Sequence, residues 1–512
     1  MPVKLSDRLE KVKGMNDVLA ADYEAGESIL ARLQGSFKSF GYRPVDVPVL
    51  EHTDLYLRKA GEDIIARLYD FTFQGRRLCL SPEITASVIR AYIDNLQSTA
   101  LPLRLCYAGP VFRYEKPQKG RHRQFTQAGV ELIGAGGALA DAEVIALACQ
   151  SLDALGLTDY QVVLGHVGIL ARFLESLQLD SRLRDFLMTN IDLLRTQGPD
   201  AVREKLPALF PSFSQPVPTL PAGIDPSLAQ RLAEMDEAAA RGMVLDLLNS
   251  MDIELDTFGR STDEIVDRLL VKIKRGSQAP RLDQALKFLS DLVPLTGSPE
   301  QVLRDAEGLL AGYGIGLDAL RELRAIFDML ASYELDLSRI TLDLGLSRGL
   351  QYYTGMIFEI YHGSPGEESQ LCGGGRYDDL AQTLGARKSV AGCGFAFGLE
   401  RIQLSLAGAG TLPMPAQPVQ ALVIAVGSKE APYAIRTAGA LRQAGLRTEL
   451  DVRGRSVTSN LQYANGQHIP FVVVVGSEEM EANLLRLKTM STGAEQRLTV
   501  AEVIDAIKEF ML

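Results

Sequence analysis

The chain has 512 residues, too many for one hydrophobic core, so two or three domains are expected. Its 46% hydrophobic and 23% charged residues fit an ordinary globular protein, while 53 Lys and Arg against 64 Asp and Glu, net charge -11, exclude a surface basic throughout. Any nucleic acid must therefore be met by local basic patches. The start, MPVKLSDRLEKVKG, lacks the apolar core of a signal peptide, and no apolar run reaches the ~20 residues of a membrane span; a cytoplasmic protein is expected. Cys79, Cys106, Cys149, Cys372 and Cys393 fall without CxxC spacing beside only five histidines, which points to buried thiols rather than disulfides or a zinc site.

Residues 22–40 carry Ile29, Leu30, Leu33, Phe37 and Phe40 at helical spacing, and Gly41 supplies the stop. In YRPVDVPVLEHTDLY, alternating Val45, Val47 and Val49 read as a strand, placed at an edge or interface by Pro48, which cannot donate to a ladder. RLYDFTFQGRRLCLSPEITASVIRAYI reads as a hairpin turning at residues 74–76 and feeding a helix that begins near Pro82 to Ala86. Pro82 and Glu83 there are ordinary helix-start chemistry.

Residues 106–134, CYAGPVFRYEKPQKGRHRQFTQAGVELIG, carry the densest chemistry. Apolar runs at 105–112 and 125–133 flank a Pro/Gly/Lys/Arg segment, the pattern of two antiparallel strands joined by a basic loop. Arg113 ends the first strand, and Lys116, Lys119, Arg121, His122 and Arg123 crowd the loop. Gln127, Gly129 and Glu131 share one face of the returning strand, with Gly129 leaving room between the other two. An amide and a carboxylate beside guanidinium groups suit a small zwitterion reacting with a polyphosphate.

Downstream, DAEVIALACQSLDALGL reads as an amphipathic helix and YQVVLGHVGIL as a strand. From about 168 to 335 the pattern is helical, with segments near 181–196, 226–240, 262–275, 281–292, 298–312 and 316–333. Pro207, Pro211, Pro216, Pro218, Pro221 and Pro226 mark a loop-rich join within it. Two strands then flank SRGLQYYTG, bringing Arg348, Tyr352 and Tyr353 over a sheet. LCGGGRYDDL offers three glycines; alone they mean a turn, or backbone that approaches a ligand where a Cβ would clash. GCGFAFGLERI reads as a small-residue strand running into a helix with Glu400 and Arg401, AGAGTLPMPAQP is a linker, and the remainder alternates as a small α/β domain.

The string FRYEKPQKGRHRQFTQAGVELIG resembles motif 2 of the histidyl-tRNA synthetases, a class II aminoacyl-tRNA synthetase family. Pro48 matches the motif 1 proline, RGLQYYTG and GGGRYD are similar to the two histidine signatures, and GCGFAFGLERI is similar to motif 3. The resemblance implies an α/β chain: a class II antiparallel-sheet catalytic core in 1–167 and 336–408, a mainly helical insertion in 168–335 that clasps the tRNA acceptor end, and an anticodon-binding-like domain in 419–512. By this resemblance Glu83 and Thr85 hold the α-ammonium of histidine, and Gln127, Glu131, Tyr352, Tyr353 and Tyr377 complete its pocket, Glu131 and the tyrosines reading the imidazole. Arg113, Arg121 and Arg401 grip ATP, which enters with Mg²⁺, and Arg348 joins Arg113 as a catalytic residue by bridging the substrate carboxylate and the α-phosphate. Lys116, Gln118, Lys119 and Arg123 meet tRNA(His). No protein-held metal is implied, and motif 1 implies a homodimer. The chain departs from the family pattern at Ser81 and Ile84, where arginine and glycine are usual, and at Gln351, where aspartate is usual.

QAGVELIGAGGALADAEVIALA, continuing to LGHVGILARFLESL, also resembles the histidine-sensing regulatory subunit of ATP phosphoribosyltransferase, as does PEIT. The basic loop, the Glu400-Arg401 end of motif 3 and the C-terminal domain favour a ligase over that regulator, and over a tRNA-binding protein without ligase activity.

Overall fold

The computed structural model describes residues 10–58, 65–116, 120–210, 237–250, 262–346, 352–363, 369–412 and 419–511, with isolated positions between 228 and 235. The expectations at Arg348, Gln118, Lys119 and Gln351, and the proline-rich join over 211–226, lie outside these residues. The chain divides into two compact units, residues 1–19 with 26–412 and residues 413–512 with 20–25.

In the first unit the strands are β1 (Arg43–Pro44), β2 (Leu50–His52), β3 (Tyr69–Phe73), β4 (Arg76–Leu80), β5 (Leu103–Phe112), β6 (Gln124–Ile133), β7 (Tyr160–His166), β8 (Thr296–Gly297), β9 (Ile340–Asp343), β10 (Met356–His362), β11 (Gln370–Arg376) and β12 (Gly392–Gly398). Among the described residues, nine of them form one sheet in the order β1-β5-β6-β12-β11-β10-β7-β9-β8. Pairing is antiparallel from β5 through β7, while β1 and β9 join in parallel.

Side-chain alternation gives this sheet two different faces. Ala128, Val130 and Leu132 of β6, with Cys106 of β5, pack into a large core with the helices Ala20–Ser39 and Ala138–Ala154, where Phe37 meets Phe395 edge-on at 5.9 Å. Leu105 and Tyr107 of β5 face the other way, toward Ile84, Val88, Tyr352 and Tyr377. Gln127, Gly129 and Glu131 alternate with the core residues of β6, so they belong to this second face, beside the helix Thr85–Asn95. The helices Ala20–Ser39 and Ala138–Ala154 cover one side of the sheet, and the helix Thr85–Asn95 covers part of the other.

Several elements depart from the sequence reading. Val45, Val47 and Val49 form no strand: β1 and β2 flank them, and Pro44 and Pro48 both lack a donor. The stretch stays extended through isolated bonds, from Val45 N–H to Cys106 O and from Ser81 N–H to Val49 O. The strand expected over YQVVLGHVGIL stops at His166, and Val167–Ser176 is helical. Asn190 splits the segment near 181–196 into Ser181–Thr189 and Ile191–Gln197. A helix spans Pro199–Leu209 and takes in Pro207, so the loop-rich join marked by the prolines begins later than the sequence implies. Of the segment expected near 226–240, Leu228, Arg231 and Leu232 are helical and a helix runs over Glu237–Ser250, the other positions before 237 lying largely outside the described residues; the segments near 262–275 and 281–292 merge into one helix, Thr262–Leu292, with Pro280 inside. The three glycines of LCGGGRYDDL lie in β11 rather than in a turn.

The second unit carries β13 (Ala421–Ala425), β14 (Thr448–Leu450), β15 (Phe471–Val475), β16 (Leu485–Thr489) and β17 (Glu495–Leu498), ordered β14-β13-β15-β16-β17. β15, buried at every position, lies central, as a continuous apolar strand should. The short helix Ser477–Ala482 and the polar strand β17 gave no periodic signal in the sequence. No helix of the described residues is long and apolar enough to cross a membrane.

Candidate active site

An open cleft, about 1020 Å³ with the solvent at its mouth included, is bounded by β6, β11, β12, the start of the helix Thr85–Asn95 and the end of the basic loop. Its lining brings together Glu83, Thr85, Gln127, Tyr352, Tyr353 and Tyr377 with Arg113, Arg121 and Arg401, residues drawn from widely separated parts of the chain. The carboxyl, amide and phenol groups suit an amino acid, and the guanidiniums suit phosphate.

Each is positioned by a local cause. Glu83 precedes the helix Thr85–Asn95, and its Oε1 accepts from Ala86 N–H at 3.0 Å, so the capping expected from sequence is present. Burial raises its carboxyl pKa, against the Ala86 bond and the nearby Arg113 charge. Gln127 Oε1 accepts from Ile84 N–H at 3.2 Å, which orients the amide across the cleft floor. Tyr352 packs 4.8 Å from Tyr353 and edge-on to Tyr377 at 5.9 Å.

Glu131 is wholly buried rather than part of the cleft wall. Tyr107 Oη donates to its Oε1 at 3.1 Å, and Tyr377 Oη donates to its Oε2. The space opposite Gly129 is taken by Tyr107: a Cβ at 129 would stand 2.7 Å from the phenol oxygen. Glu131 is thus joined to the cleft by Tyr377. Burial pushes its carboxyl up to about 8, against hydrogen bonds from Tyr377, Thr85 and Tyr107. Tyr107 was passed over in the sequence because only the β5–β6 register, Tyr107 opposite Gly129, brings it to Glu131.

At the other end, Arg113 Nε donates to Pro82 O at 2.8 Å and its guanidinium lies 5.4 Å from the Phe125 ring centre. Arg401 Nη1 donates to Gln370 O at 2.8 Å. Arg121 pairs with Glu115, which also accepts from Arg67 Nη1 at 3.1 Å. Although burial works against it, Arg113, Arg121 and Arg67 hold the Glu115 carboxyl below the usual carboxylate range. Arg67 and Glu115 both line the cleft and were not singled out from sequence. Glu400 accepts from Thr126 N–H through both oxygens, at 2.9 and 3.0 Å, and so fixes the start of the helix Leu399–Gly408 against β6.

Of the residues expected to meet tRNA, Lys116 is exposed, and Arg123 is half-buried with its guanidinium bound to Glu115 O and Lys13 O. Behind the tyrosines, Arg376 donates from Nε and Nη2 to Asp141 Oδ1 at 2.9 and 2.6 Å, and from Nη1 to Asp378 Oδ1 at 2.9 Å. Its carbonyl accepts from Thr354 N–H at 2.8 Å. This buried network spaces Tyr353 from Tyr377.

The family model described as histidyl-tRNA synthetase matches residues 14–206 and 225–402, and the one described as an anticodon binding domain matches 420–510. Among curated proteins, the chain is 29% identical to a histidine–tRNA ligase of Pyrococcus furiosus over 98% of this chain and 99% of the relative. It is 31% identical to a histidine–tRNA ligase of Methanoregula boonei over 98% of each. Among solved structures it is similar to a histidyl-tRNA synthetase of a Nostoc species, with TM-score 0.63 and 20% identity over 98% of this chain and 100% of that one. It is also similar to a Bacillus halodurans protein described as an ATP phosphoribosyltransferase regulatory subunit/histidyl-tRNA synthetase, with TM-score 0.59 and 24% identity over 91% of this chain and 98% of that one. At such identities the two structures speak for the fold.

Proposed function

The chain belongs to the histidyl-tRNA synthetase family, and from that premise we propose that it joins histidine to tRNA(His) by way of a histidyl-adenylate. In the first step a histidine carboxylate oxygen bonds to the α-phosphorus of ATP, taken up as its Mg²⁺ complex, while the bond to pyrophosphate breaks. In the second, a hydroxyl of the terminal ribose of tRNA attacks the activated carbonyl and AMP leaves. The observation that carries the reading is that one cleft is lined by Glu83, Gln127 and three tyrosines together with Arg113, Arg121 and Arg401.

The attacking carboxylate is already ionised, so the first step needs no strong base. It needs two anions brought together, and preorganised guanidiniums offset their repulsion. Arg113, tied to Pro82 O beside Glu83, is assigned to the α-phosphate; Arg401 is assigned to the γ-phosphate and Arg121 to a further phosphate oxygen. Arg348 is assigned, from the family resemblance, to the carboxylate and α-phosphate together. Arginine fits because its planar fork binds both groups bidentately. Glu83 and Thr85 take the α-ammonium, and Gln127, Tyr352, Tyr353 and Tyr377 shape the side-chain pocket, with Glu131 setting Tyr377.

Lys116, Gln118 and Lys119 are assigned to the acceptor stem, residues 168–335 to clasping it and residues 419–512 to the anticodon; this binding should weaken as salt rises. A homodimer is supported by Leu50, Phe71 and Phe73, which are 46%, 45% and 58% exposed on one face of the sheet β2-β4-β3, next to the motif 1 segment. The five free cysteines are all buried, in keeping with a reducing cytoplasm. Nothing favours the regulatory-subunit reading over this one, since a histidine sensor needs neither the guanidinium cluster nor an anticodon domain.

Histidine-dependent exchange of pyrophosphate into ATP tests the adenylate step. The wild-type chain should exchange, and Arg113→Ala should lower the rate by ~10²–10³ while folding normally. Wild-type exchange by Arg113→Ala would remove Arg113 from the reacting centre, and no exchange by the native chain would remove the function.

A further inference from the structure

The base of the basic loop is held by the segment before the first helix. The Arg123 main chain closes the hairpin, its oxygen accepting from Arg113 N–H at 2.9 Å and its N–H donating to Gly14 O at 3.1 Å. The side chain turns to the same segment. Nε donates to Glu115 O at 3.0 Å, Nη1 donates to Lys13 O at 2.9 Å, and the guanidinium lies 4.0 Å from the centre of the Tyr114 ring. One residue earlier in the loop, His122 Nδ1 lies 2.5 Å from Asn16 Nδ2.

Gly14 is fitted to this contact. Its φ is +84°, and a Cβ there would stand 2.6 Å from Arg123 Cδ. A side chain at 14 would therefore be strained in its backbone and would push the Arg123 stem away. Two carbonyl oxygens and an aromatic face form a cage suited to a planar guanidinium, with donors in the plane and the ring against its face. That orientation turns Arg123 inward. Arg113, Glu115 and Arg121, by contrast, line the cleft.

The geometry points to Arg123 as a positioning residue for the nucleotide end of the cleft: with Lys13, Gly14 and Tyr114 it forms a latch that fixes the spacing of Arg113, Glu115 and Arg121. The inference rests on the ATP site proposed above. It replaces the sequence expectation that Arg123 contacts tRNA, and it gives residues 13–16 a part in the reaction.

Pyrophosphate exchange contains no tRNA, so a residue that only contacts tRNA is silent in it. Arg123→Ala and Gly14→Ala are each expected to raise KM for ATP about tenfold, with KM for histidine changed by less than about twofold. The double variant should be no worse than the poorer single one, because both changes open the same latch. A general loss of structure would move both KM values together. The second readout needs no activity: trypsin should cut the full chain after Arg121 several-fold faster in either variant than in wild type. An unchanged KM for ATP in Arg123→Ala, with the loss confined to tRNA charging, overturns the proposal, as does full additivity of the two changes. Should the native chain not exchange at all, the proposed function fails instead, and equal trypsin cleavage in all three proteins then overturns the latch.

Discussion

Glu131 has Tyr107 and Tyr377 on its two oxygens and no contact with water, and burial pushes its carboxyl up to about 8. In the unfolded chain the same group titrates near 4.5. The folded state therefore binds the extra proton between about 4.5 and about 8, and stability from this group, complete below about 4.5, is lost as pH rises through about 8. Glu131→Gln keeps the shape and removes the titration. Melting temperatures measured across this window should fall for wild type relative to Glu131→Gln as pH rises; a flat difference, or one of opposite sign, contradicts the buried, protonated carboxyl. The face shared by Gln127, Gly129 and Glu131 was legible from alternation. What fills the space between them was not, because Tyr107 arrives from the neighbouring strand and its partner depends on register.

The elements that hold the cleft-lining Tyr353 and Tyr377 meet at Arg376, which joins β11 to Asp141 of the helix Ala138–Ala154 and to Asp378. The side chains of Arg376 and Asp141 are 8% and 7% exposed, so removing the guanidinium strands a buried carboxylate. Arg376→Met should cost about 3–5 kcal/mol in denaturant unfolding, and Asp141→Leu with Arg376→Met should recover much of it. Recovery of stability without recovery of the KM for histidine would separate the network's packing role from its spacing of Tyr353 and Tyr377; a single variant as stable as wild type would refute the buried pair. Element reading succeeded where periodicity was strong, as in the hairpin β5–β6 and in the helices Pro299–Gly312 and Asp318–Ser332. It failed at Val45, Val47 and Val49, where the alternation of a strand is present but Pro44 and Pro48 withhold the donors that would make one. The glycines of β11 read as a turn in isolation, and only pairing with β10 and β12 shows them as sheet.

At the scale of the whole molecule, the acidic chain gathers Arg113, Arg121 and Arg401 in one cleft, while strand and helix alternation made the C-terminal α/β unit visible in the sequence. The exposed face of β2-β4-β3 is the feature that a single chain leaves unexplained. Phe73→Glu should convert a dimer to monomer in sedimentation velocity and lower activity with it, whereas an unchanged sedimentation coefficient would place self-association elsewhere. The central claim, that this cleft joins histidine to RNA by way of ATP, is tested most directly by attachment of labelled histidine to a tRNA(His) transcript. The native chain should charge it only when ATP is present, and Arg401→Ala should charge it at ~10²–10³ lower rate. A chain that binds histidine and ATP yet transfers no histidine to the transcript would contradict the account.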